Sequence, residues 1–312
     1  MAGRRVAIVV SGPTGSGKSE LALRLAEEFG GEIVGCDSIQ IYRHFNIGAA
    51  KLPEAERRGI PHHLIDICDP EEIFTAGDYG LRARRALDEI AGRDHSAIVV
   101  GGTGLYLRAL LDGLFPGPRR DTALRERLSK RERRKPGSLH RVLGRLDLPS
   151  AERIHVHDVN KTMRALEVTL LARQPMSEQF RKGRDGLLGF QVCKVGLSPA
   201  RADLYAKLEQ RVVEMFNGGL LAEVRHITVG LGVSRQAKPF ESLGYRQALA
   251  HVEELLSLQE AIASTQLETR RYAKRQLTWF RRDEQIQWFN GFGSELDIQT
   301  GVMEFVESCL SQ

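Results

Sequence analysis

The sequence predicts an α/β fold: a P-loop parallel-sheet core with helices on both faces and an inserted helical domain. Three observations predict it. Short apolar runs alternate with helical stretches, the pattern of a parallel sheet covered on both sides. The first run leads into "GPTGSGKS" and then a helix, the order in which a phosphate-binding loop is built. Between the fourth and fifth runs lies a long, strongly charged stretch with few large apolar residues, read as a helical insertion between two strands. At 312 residues the chain is long enough for one large core carrying such an insertion.

The elements follow in order along the sequence. Residues 5–10 ("RVAIVV") form the first strand, and a helix carrying Leu21, Ala22, Leu25 and Ala26 at helical spacing follows the loop. A second strand is expected over 31–38, a third over 62–67, and a helix from 75 to about 90 with Thr75 as its N-cap. A fourth strand spans 96–102, followed by a short helix over 104–111. Residues 120–186 read as helical, and the next strand is 190–197. The tail is helical over 200–217, 220–231, 243–256 and 259–282, and "QIQWF" closes a sheet edge. The expected domains are a catalytic core, 1–118 with 187–312, and an inserted basic lobe, 119–186. There is no internal repeat and no low-complexity linker.

Composition narrows the class. Hydrophobic residues make up 42% and charged residues 27% of the chain, ordinary for a soluble globular protein. No run is long enough to span a membrane, and the opening residues read as the first strand rather than a signal peptide. Cys36, Cys68, Cys193 and Cys309 are scattered, which suggests neither zinc nor a disulfide framework and fits a cytoplasmic location. The net charge of +5 is unevenly placed. Residues 119–135 are densely basic, opposed only by Asp121, Glu126 and Glu132; Arg270, Arg271, Lys274, Arg275, Arg281 and Arg282 form a second cluster. Such clusters are solvated helix faces or footprints of a nucleic acid.

The loop carries the chemistry. Gly12, Pro13, Thr14, Gly15, Ser16, Gly17, Lys18 and Ser19 match G-x-x-x-x-G-K-[ST]. Glycines let backbone N–H groups turn inward around phosphate oxygens, and the following helix start adds partial positive charge. Lys18 supplies a mobile cation and Ser19 a ligand for Mg2+. By motif alone the occupant is ATP, which makes a P-loop nucleoside or small-molecule kinase the alternative reading. Such enzymes normally end a second strand on an acidic residue that helps hold magnesium. Here the fourth strand ends "IVVGGTGLY", with no Asp or Glu. Asp37, at the end of the second strand in "CDSIQIYR", is a magnesium carboxylate, a hydroxyl binder, a general base, or an Asx-turn cap. Thr103 either points its hydroxyl at the phosphates or caps the next helix. His62 and His63, neighbours on a strand, face opposite sides and make a poor chelating pair. His155 and His157 share a face if extended but lack a companion ligand and stay unassigned.

"GPTGSGKS", "GCDSIQIYR", "PHHLIDI", "GGTGLYLRALLDGL", "RALEV", "GLSPARADLYAKLEQRVVEMFNGGLLAEV", "LGYRQAL" and "TRRYAKRQLTWFRR" occur in this order. Together they resemble the bacterial tRNA dimethylallyltransferase (tRNA isopentenyltransferase) family over residues 5–282. The resemblance implies transfer of a dimethylallyl group from dimethylallyl diphosphate to N6 of the adenine 3′-adjacent to the anticodon (position 37), with diphosphate leaving and Mg2+ assisting. The loop would then hold diphosphate rather than ATP. The family assigns the base to its D-S aspartate, here Asp37, and transition-state stabilisation to Thr103 and to an arginine that aligns by spacing with Arg125. Its contacts with the tRNA anticodon stem-loop map to Asp37, Ser38, Ile39 and Gln40. They map also to Asn160, Lys161, Thr162, Met163 and Arg164, and to Lys274, Arg275, Gln276, Leu277, Thr278, Trp279, Phe280 and Arg281.

This chain departs from the family at "HVHDVNK", where Val156, His157 and Lys161 stand in place of Pro, Asn and Arg. Lysine keeps the charge but not the two-pronged contact of arginine. The stretch before "LGY" lacks the usual Gln, and no cysteine/histidine extension of the eukaryotic type is expected after Arg282. A monomer is expected. A related enzyme that prenylates free adenine nucleotides would not need the basic insertion, and a non-catalytic RNA-binding protein would not need Lys18, Ser19, Asp37 and Thr103 together.

Overall fold

The computed structural model describes residues 5–115, 117–181 and 183–311; residues 1–4, 116, 182 and 312, which fall within the expected domain bounds, lie outside the described residues. The chain divides into two compact units, one of residues 5–111 and 187–311 and the other of residues 112–186.

In the larger unit, β1 (Val6–Ser11) leads through the phosphate loop into α1 (Lys18–Glu28) and β2 (Gly31–Gly35). β3 (His62–His63), α2 (Ala76–Ala91), β4 (Ser96–Val100) and α3 (Gly104–Leu111) follow. The smaller unit holds α4 (Thr122–Arg134), α5 (Ser138–Leu146), α6 (Leu148–Arg153), α7 (Val159–Ala172) and α8 (Met176–Arg181). The chain then returns as β5 (Gln191–Leu197), α9 (Arg201–Asn217), α10 (Leu220–Arg225), α11 (Tyr245–Val252), α12 (Leu258–Phe280), β6 (Gln287–Phe289) and α13 (Leu296–Ser311).

The sheet is six-stranded and parallel throughout, in the order β3-β2-β4-β1-β5-β6, which meets the α/β expectation. Alternation along β1 explains why both faces are covered. Ala7 and Val9 pack with Ala97 and Val99 of β4 under Tyr79, Leu87 and Ile90 of α2. Val6, Ile8 and Val10 turn to the other face, against Leu21 and Leu25 of α1 and Val302 and Val306 of α13. A period of two with both faces apolar is what a doubly covered strand requires. Thr75 caps α2 as expected: its hydroxyl accepts the Asp78 N–H, and the Asp78 carboxylate accepts the Thr75 N–H.

Several expectations are corrected. The second and third strands are shorter than read. β2 stops at Gly35, so Asp37 lies in a turn beyond it, and Leu64 and Asp66 take φ of 62° and 55°, which no strand accommodates. The helix expected over 220–231 changes to π-helical hydrogen bonding over His226–Gly230, and α11 starts only after Gly244, whose φ is 83°. The sequence reading missed α13, although Val302 and Val306 carry its i, i+4 signal. It also suggested no disulfide, whereas Cys193 on β5 is joined to Cys309 on α13. The two lie 116 residues apart, and only the return of α13 onto β5 brings them together. No helix among the described residues is long and apolar enough to cross a membrane.

The smaller unit has its own core, in which Leu139 and Leu143 of α5 meet Ala165, Leu166 and Val168 of α7.

Candidate active site

The phosphate loop leaves β1 at a point where side chains do not fit. Gly12 has φ of 143°, and a Cβ there would lie 2.8 Å from Leu197 O. Gly17, at φ 84°, precedes α1, and a Cβ on it would lie 2.8 Å from Gly293 N. Gly293 in turn donates its N–H to Ser16 O at 2.9 Å, so the segment before α13 buttresses the loop. Motif reading could not find this contact, because Gly293 belongs to no motif. No side chain caps the first turn of α1, which leaves its amides directed at the loop's cavity.

Lys18 folds back within the loop and donates from Nζ to Pro13 O at 2.6 Å. Burial, and then the nearby Arg211 guanidinium, lower its pKa to about 7, while Asp37 opposes the shift. Arg211 on α9 reaches Thr14 Oγ1 at 3.5 Å. Its own pKa is lowered by burial and held up by Asp37 and Glu214. Lys18, Lys207 and Arg211 thus border the loop's cavity against Asp37 and Glu214, a cationic excess suited to receiving an anion. Arg211 falls within the "GLSPARADLYAKLEQRVVEMFNGGLLAEV" stretch that shares the family resemblance, but the sequence reading gave it no role; it sits one turn from the buried Leu208 of α9.

Two cavities meet here. One of about 530 Å³ is bordered by Thr14, Gly15, Gly17, Lys18, Ser19, Gly101 and Gly102. The other, of about 470 Å³, is bordered by Ile39, Phe74, Tyr106, Leu208, Met215 and Leu243. Asp37, Thr14, Arg211, Tyr272 and Ala49 border both.

Asp37 makes the turn that its Asx reading allowed: Oδ1 accepts from Ile39 N at 2.8 Å and Gln40 N at 3.3 Å. That leaves Oδ2 for other chemistry. Thr103 does not border either cavity. Its hydroxyl accepts the Ser38 N–H at 3.2 Å and its own N–H donates to Cys36 O at 3.2 Å, which ties the end of β4 to the turn that carries Asp37. Tyr272 lies against Thr103, and burial together with the Asp37 charge pushes its phenol up to about 12. Gln40 is oriented by donating to Ala49 O at 3.0 Å. The histidines expected to face apart do so: His63 Nε2 meets Glu32 at 2.6 Å, and His62 Nδ1 meets Ile60 O at 2.8 Å.

The remaining expected site residues sort by exposure. On α12, Lys274, Arg275, Thr278 and Arg281 are exposed, while Gln276 and Phe280 are buried. Trp279 is half-buried, with the Arg108 guanidinium 4.6 Å over its ring. In the smaller unit, Asn160 and Lys161 are exposed, whereas Thr162 and Met163 turn into that unit's core. Arg125 clamps the fully buried Glu167 through Nε and Nη2 at 2.8 and 2.9 Å, and Arg164 Nη1 joins it at 2.7 Å.

Fold and site together define a P-loop protein of the α/β class, with a partly apolar cavity adjoining its phosphate loop and no acid at the end of β4. The chain belongs to the IPP transferase family, whose model matches residues 40–283. That match begins after the phosphate loop and Asp37, so likeness in those segments rests on whole-chain relatives. The tRNA dimethylallyltransferase of Solibacter usitatus is 56% identical over 305 residues, covering 98% of this chain and 99% of that protein. A solved tRNA isopentenylpyrophosphate transferase from Bacillus halodurans superposes with a TM-score of 0.71 at 31% identity, covering 99% of both chains. A eukaryotic dimethylallyltransferase acting on tRNA gives a TM-score of 0.82 at 26% identity, covering 98% of this chain and 78% of that one.

Proposed function

We propose that this chain is a tRNA dimethylallyltransferase, which moves the dimethylallyl group of dimethylallyl diphosphate onto N6 of adenine 37 beside the anticodon. One observation carries the proposal: Asp37 borders both the phosphate-loop cavity and the adjoining partly apolar one. The diphosphate lies in the loop of residues 12–19, and the flipped-out adenine approaches from the other cavity. Adenine N6 attacks the allylic C1, the N–C bond forms as the C–O bond breaks, and the electron pair leaves with diphosphate. The N6 lone pair is delocalised into the ring, so its proton passes to Asp37 Oδ2 as the bond forms. Loop amides and Lys18 stabilise the departing charge. Thr103 fixes the Asp37 turn through the Ser38 amide, and the family resemblance assigns transition-state stabilisation also to Arg125, whose Nε and Nη2 hold Glu167.

Magnesium fits the donor set. Ser19 is exposed on the first turn of α1 and borders the same cavity as Asp37. Among the described residues no group of three His, Cys, Asp or Glu forms a metal cage. An ion held by one or two protein oxygens, phosphate and water suits the preferences of Mg2+. When bound, it would neutralise charge on the leaving diphosphate. For the tRNA anticodon stem-loop, Ser38 and Ile39 border the adenine cavity and Gln40 the loop's cavity, and Asn160, Lys161, Arg164, Lys274, Arg275 and Arg281 supply polar or charged contacts. The enzyme is proposed to work as a cytoplasmic monomer.

Incubation with dimethylallyl diphosphate, Mg2+ and unmodified tRNA, followed by nucleoside mass spectrometry, tests the reading. Prenylated adenosine at position 37 is expected. ATP hydrolysis with no prenylated nucleoside would overturn it in favour of a P-loop kinase, whose missing acidic strand end disfavours it.

A further inference from the structure

The K-R-Q-x-T-W stretch of α12 reads from sequence as an RNA contact along its whole length, yet its glutamine faces inward. Gln276 is 6% exposed. Its Oε1 accepts the Thr14 N–H at 2.8 Å, and its Nε2 donates to Gly102 O at 3.0 Å. One amide therefore ties the phosphate loop to the end of β4, with both of its halves engaged and the side chain buried. The glycines after β4 are shaped to receive α12. A Cβ on Gly102 would lie 2.0 Å from Gln276 Nε2, and a Cβ on Gly104 2.1 Å from Trp279 Nε1. Thr103 lies between these two glycines, held to Ser38 N. The G-G-T-G and Q-x-x-W motifs are thus two halves of one packed unit.

We propose that Gln276 is a positioning residue that fixes the phosphate loop relative to Thr103 and the Asp37 turn, so that the placement of α12 sets the geometry of the diphosphate site. The inference rests on the reading of the loop as that site. Its physical basis is local. Thr14 N–H is bonded to Gln276, so the loop's cradle is formed by the amides after it. Removing the side-chain amide leaves a partly buried N–H and a carbonyl unpaired, which the loop relieves by moving. Lys274 and Arg275, on the same helix, stay exposed and free to meet phosphate.

The test uses the full chain and two readouts. In Gln276→Met, amide exchange of the peptide holding Thr14 is expected to accelerate about tenfold or more, while β1 and β4 stay protected. Under single turnover, transfer slows and the concentration of dimethylallyl diphosphate needed rises, but tRNA affinity and its salt slope do not change. Gly102→Ala provides the second variant, since its new methyl displaces Gln276 Nε2 from the opposite side; it is expected to loosen the same peptide. Unchanged exchange at Thr14 in both variants would overturn the inference. So would a fall in tRNA affinity with an undisturbed loop, which is the outcome for an RNA contact. Failure of the functional reading is distinct: wild-type protein would then make no prenylated nucleoside, while the exchange readout still decides the role of Gln276.

Discussion

Asp37 is held by one oxygen and free at the other, and that division decides how a substitution should behave. In Asp37→Asn the side-chain oxygen can still accept from Ile39 and Gln40, so the turn persists, while the amide nitrogen that replaces Oδ2 can no longer accept. Asparagine cannot take the N6 proton, and loss of a positioned base typically slows a reaction by ~10²–10⁴. kcat and kcat/KM should fall together with KM for dimethylallyl diphosphate nearly unchanged. Single-turnover transfer at saturating substrates checks this, and a near wild-type rate would reduce Asp37 to a turn cap. Lys18 makes a second prediction. With its pKa lowered to about 7, it is largely neutral at pH 8 until diphosphate restores its charge. Binding should therefore take up a proton at pH 8 that it does not take up at pH 6, and should weaken as pH rises above 7. Calorimetry in buffers of different ionisation heat measures the uptake, and Lys18→Arg, always charged, should abolish this share of it. The sequence made Lys18 and Asp37 legible because motif spacing places them. Arg211 and Tyr272 lie in stretches that carry the family resemblance and Gly293 in none, yet none of their roles was legible, because each enters the site from a helix or turn that folds back over the loop.

At the scale of elements, α12 shows why a motif names a segment more readily than its roles. The sequence marked the whole stretch of residues 274–281 as an RNA contact, but helical periodicity sends Lys274, Arg275, Thr278 and Arg281 outward and Gln276 and Phe280 inward. Neutralising Lys274 and Arg275 should weaken tRNA binding and flatten its salt dependence by about one unit of slope per lost phosphate contact. An unchanged slope would make that face merely solvated. The turn over residues 46–49 is held in another way. Glu223 on α10 accepts from Ile47 N at 2.9 Å and from Tyr245 Oη at 2.5 Å, and the same hydroxyl accepts from Gly48 N at 3.1 Å. Ala49 of that turn carries the carbonyl to which Gln40 donates. Tyr245→Phe removes the hydroxyl at a site where Gly48 N–H and the Glu223 carboxylate remain, at a cost of roughly 1–3 kcal/mol. Denaturant unfolding should show that loss, and KM for tRNA should rise more than kcat falls. None of this was legible in "LGYRQAL", which carries the family resemblance but assigns the tyrosine no role.

On the scale of the whole molecule, each of the two units holds a buried carboxylate that titrates far below its usual range, Glu32 in the larger and Glu167 in the smaller. In the larger unit the Arg93 guanidinium, then His63 and His95, overcome burial and lower Glu32 to about 2. In the smaller unit burial of Glu167 is outweighed by hydrogen bonds from Arg125, Arg164 and the Asp121 amide, which lower it to about 2 as well. The sign follows from the depressed folded values. Each carboxylate contributes stability that is fully present above about 4.5, its ordinary value, and is lost as pH falls toward 2. Unfolding by acid should therefore set in below pH 4.5, and the two pairs offer separate handles on it. Glu167→Gln leaves the partly buried Arg125 and Arg164 facing each other without an anion, which is destabilising. Glu32→Gln removes the anion from the half-exposed Arg93 and from His63 and His95, which costs less because water screens the charge left behind. Since the pairs share no partner and lie in different units, Glu167→Gln should speed amide exchange over residues 112–186 while β1 keeps its protection. Glu32→Gln should loosen β2, β3 and β4 and spare α5 and α7. Exchange mass spectrometry near neutral pH, where both wild-type carboxylates are charged, resolves the two regions. If either variant accelerates exchange equally in both, the two open as one cooperative unit, and the division of the chain into separately stabilised parts does not hold.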